Sequence, residues 1–194
     1  MRPGSLITMT PSLVHQTAAA ETNPHCDIAL VRALRVLLVG RVSVLGIGNR
    51  DRGDDGAGSI AAERLASQTQ ATVLDTGVVP ENFLEKAARS EPDTILLIDT
   101  VDFGGAKGEL RLISPELIAP AGLSTHAVSL RMAARFLEAR TGARIGLLAV
   151  QPAVVQAGIG LSVEVANALE RLERILPAVL ALAMRERSEK ENHP

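Results

Sequence analysis

The stretch VSVLGIGNRDRGDDGAGSIAAERLAS, residues 42–67, sets a pattern that the rest of the chain repeats. Its first part, 42–48, is a continuous apolar run of strand length that closes on a glycine turn. Its last part, 55–67, carries apolar residues at helical spacing. Three aspartates, at 51, 54 and 55, fall within five residues where the turn leads into the helix. A buried strand, a glycine loop and a helix in this order predict an α/β domain with a parallel sheet.

The same alternation continues along the chain. Further strands are predicted over 71–77, 93–105, 108–114 and 143–152. Helices are predicted over 27–39, 80–90, 126–140 and about 161–187. Residues 108–114 alternate apolar and polar side chains, which is typical of a half-exposed edge strand. Pro177 is expected to kink the last helix or divide it in two.

Length and composition indicate a single domain with an aliphatic core. The chain has 194 residues, of which 46% are apolar, without tryptophan or tyrosine. Such a core suits a mainly parallel sheet covered by helices on both faces. We expect a disordered extension over 1–26, one domain over 27–187 that begins with the helix 27–39, and a polar tail over 188–194.

Charge and cysteine content exclude several classes of function. The net charge of −2, with acids and bases interspersed, gives no indication of a nucleic-acid partner. No apolar run reaches the roughly 18 residues that span a bilayer, so no membrane insertion is expected. The single cysteine, Cys26, rules out an internal disulfide and a cysteine metal cluster, and is compatible with a reducing cytoplasm. We therefore expect a cytoplasmic protein, and a monomer.

The glycine loop does not fit a nucleotide site. A dinucleotide fingerprint that began at Gly46 and Gly48 would need glycine at 51, where the chain has Asp51. The clustered carboxylates would also repel a pyrophosphate at the start of the helix. A G-x-S-x-G elbow and an HExxH motif are both absent from the sequence, which argues against a classical serine hydrolase and an ordinary zincin.

The adjacent pair Asp54 and Asp55 has a structural and a functional interpretation. Either carboxylate could accept backbone N–H bonds at the start of the following helix, where the helix dipole favours negative charge. Capping accounts for only one member of the pair. The other carboxylate, at the mouth of a glycine loop, is a candidate for a functional site.

Two more candidates, Asp99 and His126, lie at connections between predicted strands and helices. Asp99 ends the apolar run TILLID, and two interpretations of it stay open: a turn residue or a residue of a functional site. Asp75 is interpreted as a turn residue. His126 stands between a loop and the next helix. Because functional sites of open α/β sheets lie beyond the carboxyl ends of the strands, Asp55, Asp99 and His126 should converge. Two carboxylates and an imidazole suit a divalent transition metal such as nickel or zinc.

Five segments carry a resemblance to a known family. They are VLGIGNRDRGDDGAG (44–58), LDTGVVPEN (74–82), LLIDTVDFGGAKGELRLI (96–113), STHAVSL (124–130) and VQP (150–152). In this order and spacing they resemble the hydrogenase maturation proteases, and within them the branch that processes the hydrogenase of formate hydrogenlyase. The resemblance covers roughly residues 42–176.

The resemblance implies an endopeptidase that removes the C-terminal extension of a nickel-loaded [NiFe]-hydrogenase large-subunit precursor. It implies a three-layer α/β/α fold of the phosphorylase/hydrolase-like type, with a mainly parallel, twisted sheet of five to six strands. Asp55, Asp99 and His126 take the positions of the family's metal-binding residues and are the predicted catalytic and nickel-contacting residues. The nickel would belong to the precursor, although another divalent metal could occupy the site in isolation.

The remaining residues of the motifs receive supporting roles. Asp54 becomes the candidate for the helix cap. Gly46, Gly48 and Asn49 are expected to shape the loop on the substrate side, and Gln151 to hold substrate near the crevice. Two other functions stay open at this point: a peptidase of the same fold that acts on another protein, and a nickel-binding maturation chaperone that cuts nothing.

Overall fold

A computed structural model describes residues 24–114 and 127–192 of the chain. In these residues the helices and strands follow one another as α1 (Pro24–Leu37), β1 (Val42–Ile47), α2 (Ala57–Leu65), β2 (Thr72–Gly77), α3 (Leu84–Ala88), β3 (Thr94–Thr100), β4 (Leu110–Ile113), α4 (Ala127–Thr141), β5 (Arg144–Val150) and α5 (Val163–Asn192). Short 3-10 turns, Gly53–Gly56 and Pro80–Phe83, lead into α2 and α3.

The five strands form one sheet in the order β2-β1-β3-β5-β4. All neighbouring pairs are parallel except β4 with β5, which is antiparallel. The prediction of a mainly parallel sheet of five to six strands is confirmed. The predicted edge strand is confirmed as β4, in which Leu110 is buried and Arg111 is exposed.

Alternate side chains of each strand face two separate cores. On the central strand β3, Leu96 and Ile98 pack with α1, α2 and α5, whereas Ile95 and Leu97 pack with α3 and α4. These four side chains are completely buried, and each stabilises the fold by about 1.5–3 kcal/mol through loss of apolar contact with water. Two helical layers therefore enclose the sheet, as predicted for a three-layer fold.

The helix boundaries differ from the predicted ones at both ends of the domain. Helix α1 begins at Pro24 rather than at residue 27, so Asp27 lies in its first turn instead of capping it. Helix α5 runs without a break through Pro177 and includes residues 188–192 of the predicted polar tail. An internal proline costs a helix about 3 kcal/mol. Here the buried faces of Leu172, Leu176 and Leu180 hold both halves against the same core.

Among the described residues, no helix is both long enough and apolar enough to cross a membrane. Residues 1–23 of the predicted extension lie outside the described part of the chain.

Candidate functional site

Three loops meet beyond the carboxyl ends of the adjacent strands β1, β3 and β5. We name them the glycine loop (48–56), the β3–β4 loop (101–109) and the β5–α5 loop (151–162). Backbone bonds join each to a neighbour, for example from Gly53 N to Ile159 O at 3.1 Å and from Gly108 N to Gln151 O at 2.9 Å. The polar residues of the three loops therefore share one edge of the sheet, where open α/β folds build their sites.

Close packing accounts for Gly46, near the end of β1, and for Gly48, at the start of the glycine loop. A Cβ on Gly46 would lie 2.1 Å from the carbonyl oxygen of Gly58, so this position lets α2 approach β1. Gly48 has a φ of +149°, and a Cβ there would lie 2.0 Å from the carbonyl oxygen of Asp55. Asn49 donates its N–H to the same oxygen at 3.1 Å. Gly48 and Asn49 thus shape the loop, whereas Gly46 fits α2 against β1. Contact of the three residues with substrate stays a prediction.

Arg50 links the glycine loop to α2 and β2 through its guanidinium, a role that was not predicted from the sequence. Its guanidinium donates to the Ser59 hydroxyl at 2.7 Å, to Glu63 and to Asp75 at 2.7 Å. The other oxygen of Asp75 accepts from Gly77 N at 3.1 Å, which confirms its turn role. The available signal was that Arg50 and Arg52 stand beside the aspartates of the loop, but the partners of Arg50 on α2 and β2 could not be read from sequence.

Asp54 does not cap α2, and the sequence interpretation of this residue is wrong. No side chain caps either the 3-10 turn or α2. The buried Asp54 carboxylate instead accepts bonds from Ala153 N, Val154 N and Ser162 N at 2.8, 2.8 and 2.7 Å, and from the Ser162 hydroxyl at 2.9 Å. The donors belong to the β5–α5 loop, so the preference of aspartate for helix starts misled the prediction.

Asp55 and Asp99 are both buried at this edge, with exposed fractions of 2% and 0%. Asp99 is the penultimate residue of β3, and its Oδ1 accepts the N–H of Thr100 at 2.8 Å. The Thr100 hydroxyl then donates to the carbonyl oxygen of Asp54 at 2.6 Å. This bond ties the residue after Asp99 to the residue before Asp55, and so holds the two acidic segments next to each other.

His126 lies outside the described residues, so the predicted set of three is not tested as a whole. Helix α4 begins at the next residue, Ala127, and packs on the sheet face that carries Ile95 and Leu97. Strand alternation directs Asp99 toward that same face. Within 24–114 and 127–192, no group of three histidine, cysteine or acidic residues is arranged to hold a metal ion.

Gln151 organises the β3–β4 loop. Its side-chain oxygen accepts from Phe103 N at 3.0 Å and Gly105 N at 3.1 Å, while its amide nitrogen donates to Asp102 at 2.9 Å. The bond from Gln151, followed by one from Gly104 N, lowers the pKa of Asp102 below its ordinary value. The predicted contact of Gln151 with substrate stays a prediction.

A second group of contacts supports the far side of the same loop. The Glu109 carboxylate accepts from Ala106 N at 3.0 Å and from the Arg111 guanidinium at 2.6 Å. Burial by itself would raise the pKa of Glu109. The bonds from Arg111 and Ala106, together with the charge of Arg111, have the larger combined effect, so the pKa of Glu109 is lowered from its ordinary value. The guanidinium also lies 4.2 Å from the ring centre of Phe103. The β3–β4 loop is therefore anchored at both of its ends.

Comparison with known proteins identifies relatives of this arrangement. Residues 59–178 match the sequence model of a family described as "HycI: Hydrogenase maturation protease". That match begins after the glycine loop and includes Asp99 and His126. The chain is 35% identical over 115 residues to the hydrogenase 3 maturation protease of Escherichia coli K12, an alignment that covers 58% of this chain and 73% of the relative.

Solved structures show the same likeness. The [NiFe] hydrogenase maturation protease HycI from Thermococcus kodakarensis KOD1 superposes with a TM-score of 0.71 and 31% identity, covering 77% of this chain and 99% of that one. The hydrogenase maturating endopeptidase HybD from E. coli superposes with a TM-score of 0.61 and 25% identity, covering 73% of this chain and 93% of that one. The described fold is thus that of these proteins along nearly their whole length.

Proposed function

Because this chain belongs to the hydrogenase maturation protease family, we propose that it removes the C-terminal extension from a nickel-loaded [NiFe]-hydrogenase large-subunit precursor. Membership of the family makes it a hydrolase that acts on a peptide bond. The observation that carries the proposal is the pair of buried carboxylates, Asp55 and Asp99, brought together where the three loops meet.

The proposed nickel-contacting residues are Asp55, Asp99 and His126. The bonding of Asp54 supports this choice, because four donors occupy its two oxygens and exclude it as a ligand. Asp55 is then the member of the Asp54–Asp55 pair that we propose as a nickel ligand. The start of α4 at Ala127, on the sheet face toward which Asp99 alternates, supports His126 as the third residue.

The chemistry of this donor set fits nickel. Imidazole is a good ligand for nickel, and carboxylates complete a mixed nitrogen and oxygen site with positions left for other groups. A nearby positive charge favours the ionised form of a carboxylate, so a divalent cation is compatible with two buried carboxylates at this edge of the sheet. In this proposal the metal arrives with the precursor and is part of the substrate. A bound divalent metal can polarise a carbonyl oxygen.

The chain's own residues then bind and orient the precursor. Asp55 and Asp99 contact the metal from fixed segments, while the glycine loop, β3–β4 loop and β5–α5 loop surround the approaching C-terminal segment. We propose that Gly46, Gly48 and Asn49 position the glycine loop next to the precursor. We also propose that Gln151 holds the β3–β4 loop in place beside Asp99. A cytoplasmic location and a monomeric state stay predictions.

Incubation with purified nickel-loaded precursor tests the proposal, with mass spectrometry to follow loss of the C-terminal extension. Wild-type protein should shorten the precursor, and Asp55→Asn, Asp99→Asn and His126→Ala should not. Asp51→Asn is the matched control, because it changes an exposed aspartate of the same loop and should cut like wild type. Precursor prepared without nickel should stay intact.

Two results would overturn the proposal. A precursor that keeps its extension in the presence of wild-type protein would exclude this substrate, and favour another protein substrate or a nickel chaperone. Cleavage by Asp55→Asn and Asp99→Asn at the wild-type rate would exclude the assigned site even if the precursor were shortened.

A further inference from the structure

The Asp54 carboxylate joins two loops that are far apart in sequence. Its Oδ2 accepts from Ala153 N and Val154 N at 2.8 Å each and from the Ser162 hydroxyl at 2.9 Å, while its Oδ1 accepts from Ser162 N at 2.7 Å. The side chain is 0% exposed. We call this set of four bonds the Asp54 lock.

Backbone bonds align the same two loops beside the lock. Asp54 N donates to Val154 O at 3.1 Å, Gly53 N to Ile159 O at 3.1 Å, and Gly158 N to Asp51 O at 2.9 Å. The Ser162 hydroxyl also accepts from Val165 N at 3.3 Å, in the first turn of α5. The lock therefore connects the glycine loop both to the β5–α5 loop and to the start of a helix that is anchored in the core.

The backbone of Asp54 makes a third connection, to the central strand. Its carbonyl oxygen accepts from the Thr100 hydroxyl at 2.6 Å. Asp54 is thus bonded to the residue after Asp99 and is itself the residue before Asp55, so it is linked to both proposed nickel-contacting segments. A displacement of Asp54 would move both the position of Asp55 and the loop that borders the site.

The lock requires a carboxylate rather than any capping side chain. Asparagine caps a helix about as well as aspartate does. In the lock, however, donors reach both oxygens, so an amide NH2 group at residue 54 would face N–H donors whichever way it turned. A buried donor left without an acceptor is costly, and so asparagine should fail here.

We propose that Asp54 is a positioning residue that holds the glycine loop and the β5–α5 loop together as one rigid wall beside Asp55 and Asp99. This wall carries the half-exposed side chains of Val155 and Ile159 on the β5–α5 loop, next to the approaching precursor. The effect on precursor binding rests on the proposed function, whereas the rigidity of the wall does not. Asp54→Asn should release the wall and leave the sheet intact.

Amide hydrogen exchange on the free protein tests the lock without substrate. In Asp54→Asn, amides of 153–162 and 49–56 should exchange about tenfold faster or more than in wild type. The matched control is Asp93→Asn, which changes a carboxylate that accepts from Arg41 N at 2.7 Å at the opposite edge of the sheet. That variant should accelerate exchange around 39–42 and leave 153–162 unchanged. Wild-type exchange over 153–162 in Asp54→Asn would overturn the proposal.

Precursor kinetics separate positioning from a general loss of stability. Asp54→Asn should raise KM about tenfold or more with a smaller change in kcat, because a loosened wall impairs binding of the precursor and its nickel. Asp93→Asn should melt earlier than wild type and keep the wild-type KM. Should Asp54→Asn fail to fold, Ser162→Ala removes one bond of the lock and should show a smaller increase in exchange and in KM.

The two proposals fail in different ways. If wild type does not cut the precursor but Asp54→Asn accelerates exchange over 153–162, the proposed substrate is wrong and the lock stands. If wild type cuts and both lock variants keep wild-type exchange and KM, the lock is wrong and the proposed function stands.

Discussion

Replacement of Gly48 by alanine should displace Asp55 without touching any polar side chain. A Cβ at residue 48 would lie 2.0 Å from the carbonyl oxygen of Asp55, whereas contacts below 3.0 Å are essentially never seen. The carbonyl must therefore retreat by about 1 Å. That movement breaks the bond from Asn49 N, now 3.1 Å long, and alanine is also strained at the Gly48 φ of +149°.

The stability loss follows from these two terms. Backbone strain of this kind costs about 1–3 kcal/mol, and loss of one hydrogen bond costs about 1 kcal/mol. A total of about 3 kcal/mol should lower Tm by roughly 6–12 °C in a protein of this size. A misplacement of about 1 Å at a reacting centre can also slow a reaction about a hundredfold. Gly48→Ala should therefore cut the nickel-loaded precursor about a hundredfold more slowly than wild type.

Gly142→Ala provides the matched control. Gly142 also has a positive φ, +68°, but a Cβ there meets nothing within 4 Å, and the residue lies after α4 and away from the three loops. Backbone strain alone should cost about 1–2 kcal/mol, with cleavage unchanged. Calorimetry and the precursor assay measure both effects. If Gly48→Ala melts and cuts like Gly142→Ala, the tight approach to Asp55 has no role in the site.

Two further outcomes follow from the loop contacts. Thr100→Val should remove the bond to the Asp54 carbonyl and lower the free energy of unfolding by about 1–2 kcal/mol in denaturant titrations. It should slow precursor cleavage more than Thr141→Val, which removes the bond to Leu137 O at 2.6 Å and the bond from Ala143 N at 3.1 Å, both away from the three loops. Gln151→Leu should raise the pKa of Asp102 toward the ordinary value of an aspartate in an NMR titration. Because the pKa of Asp102 is lowered in the folded protein, its carboxylate stabilises the fold at pH values above the pKa of the unfolded state, and this stabilisation is lost as pH falls. The variant should therefore lose less stability than wild type on acidification. An unchanged titration would refute the role of Gln151.

Local periodicity was enough to identify most of the fold. The first part of the predicted segment 93–105 forms the buried strand β3, Thr94–Thr100. The alternating segment 108–114 contains the antiparallel edge strand β4, Leu110–Ile113. Such patterns are local because the strand period of two depends only on neighbouring residues. Helix ends were less well predicted: α5 continues through Pro177 because its buried leucines are held by the core, which no local signal records.

The candidate site was also predicted only in part from the sequence. The sequence indicated the edge of the sheet where Asp55 and Asp99 lie, because strand ends and loop glycines are visible in it. The roles of Asp54, Arg50 and Gln151 were not visible. Their partners lie elsewhere in the chain: 99, 100 and 108 residues away for Asp54, 25 residues for the Asp75 contact of Arg50, and 46, 48 and 49 residues for Gln151.

The sequence by itself determined an α/β sheet with acidic residues after its strands, and through its motifs the protease family. Only the tertiary structure decided what the first aspartate of the GDDG turn does: Asp54 joins this turn to the β5–α5 loop and does not cap the following helix. A lone carboxylate before a helix has the same local preference whether it caps that helix or bonds a distant loop. The choice depends on where backbone donors converge, and here they converge on Asp54 from the β5–α5 loop.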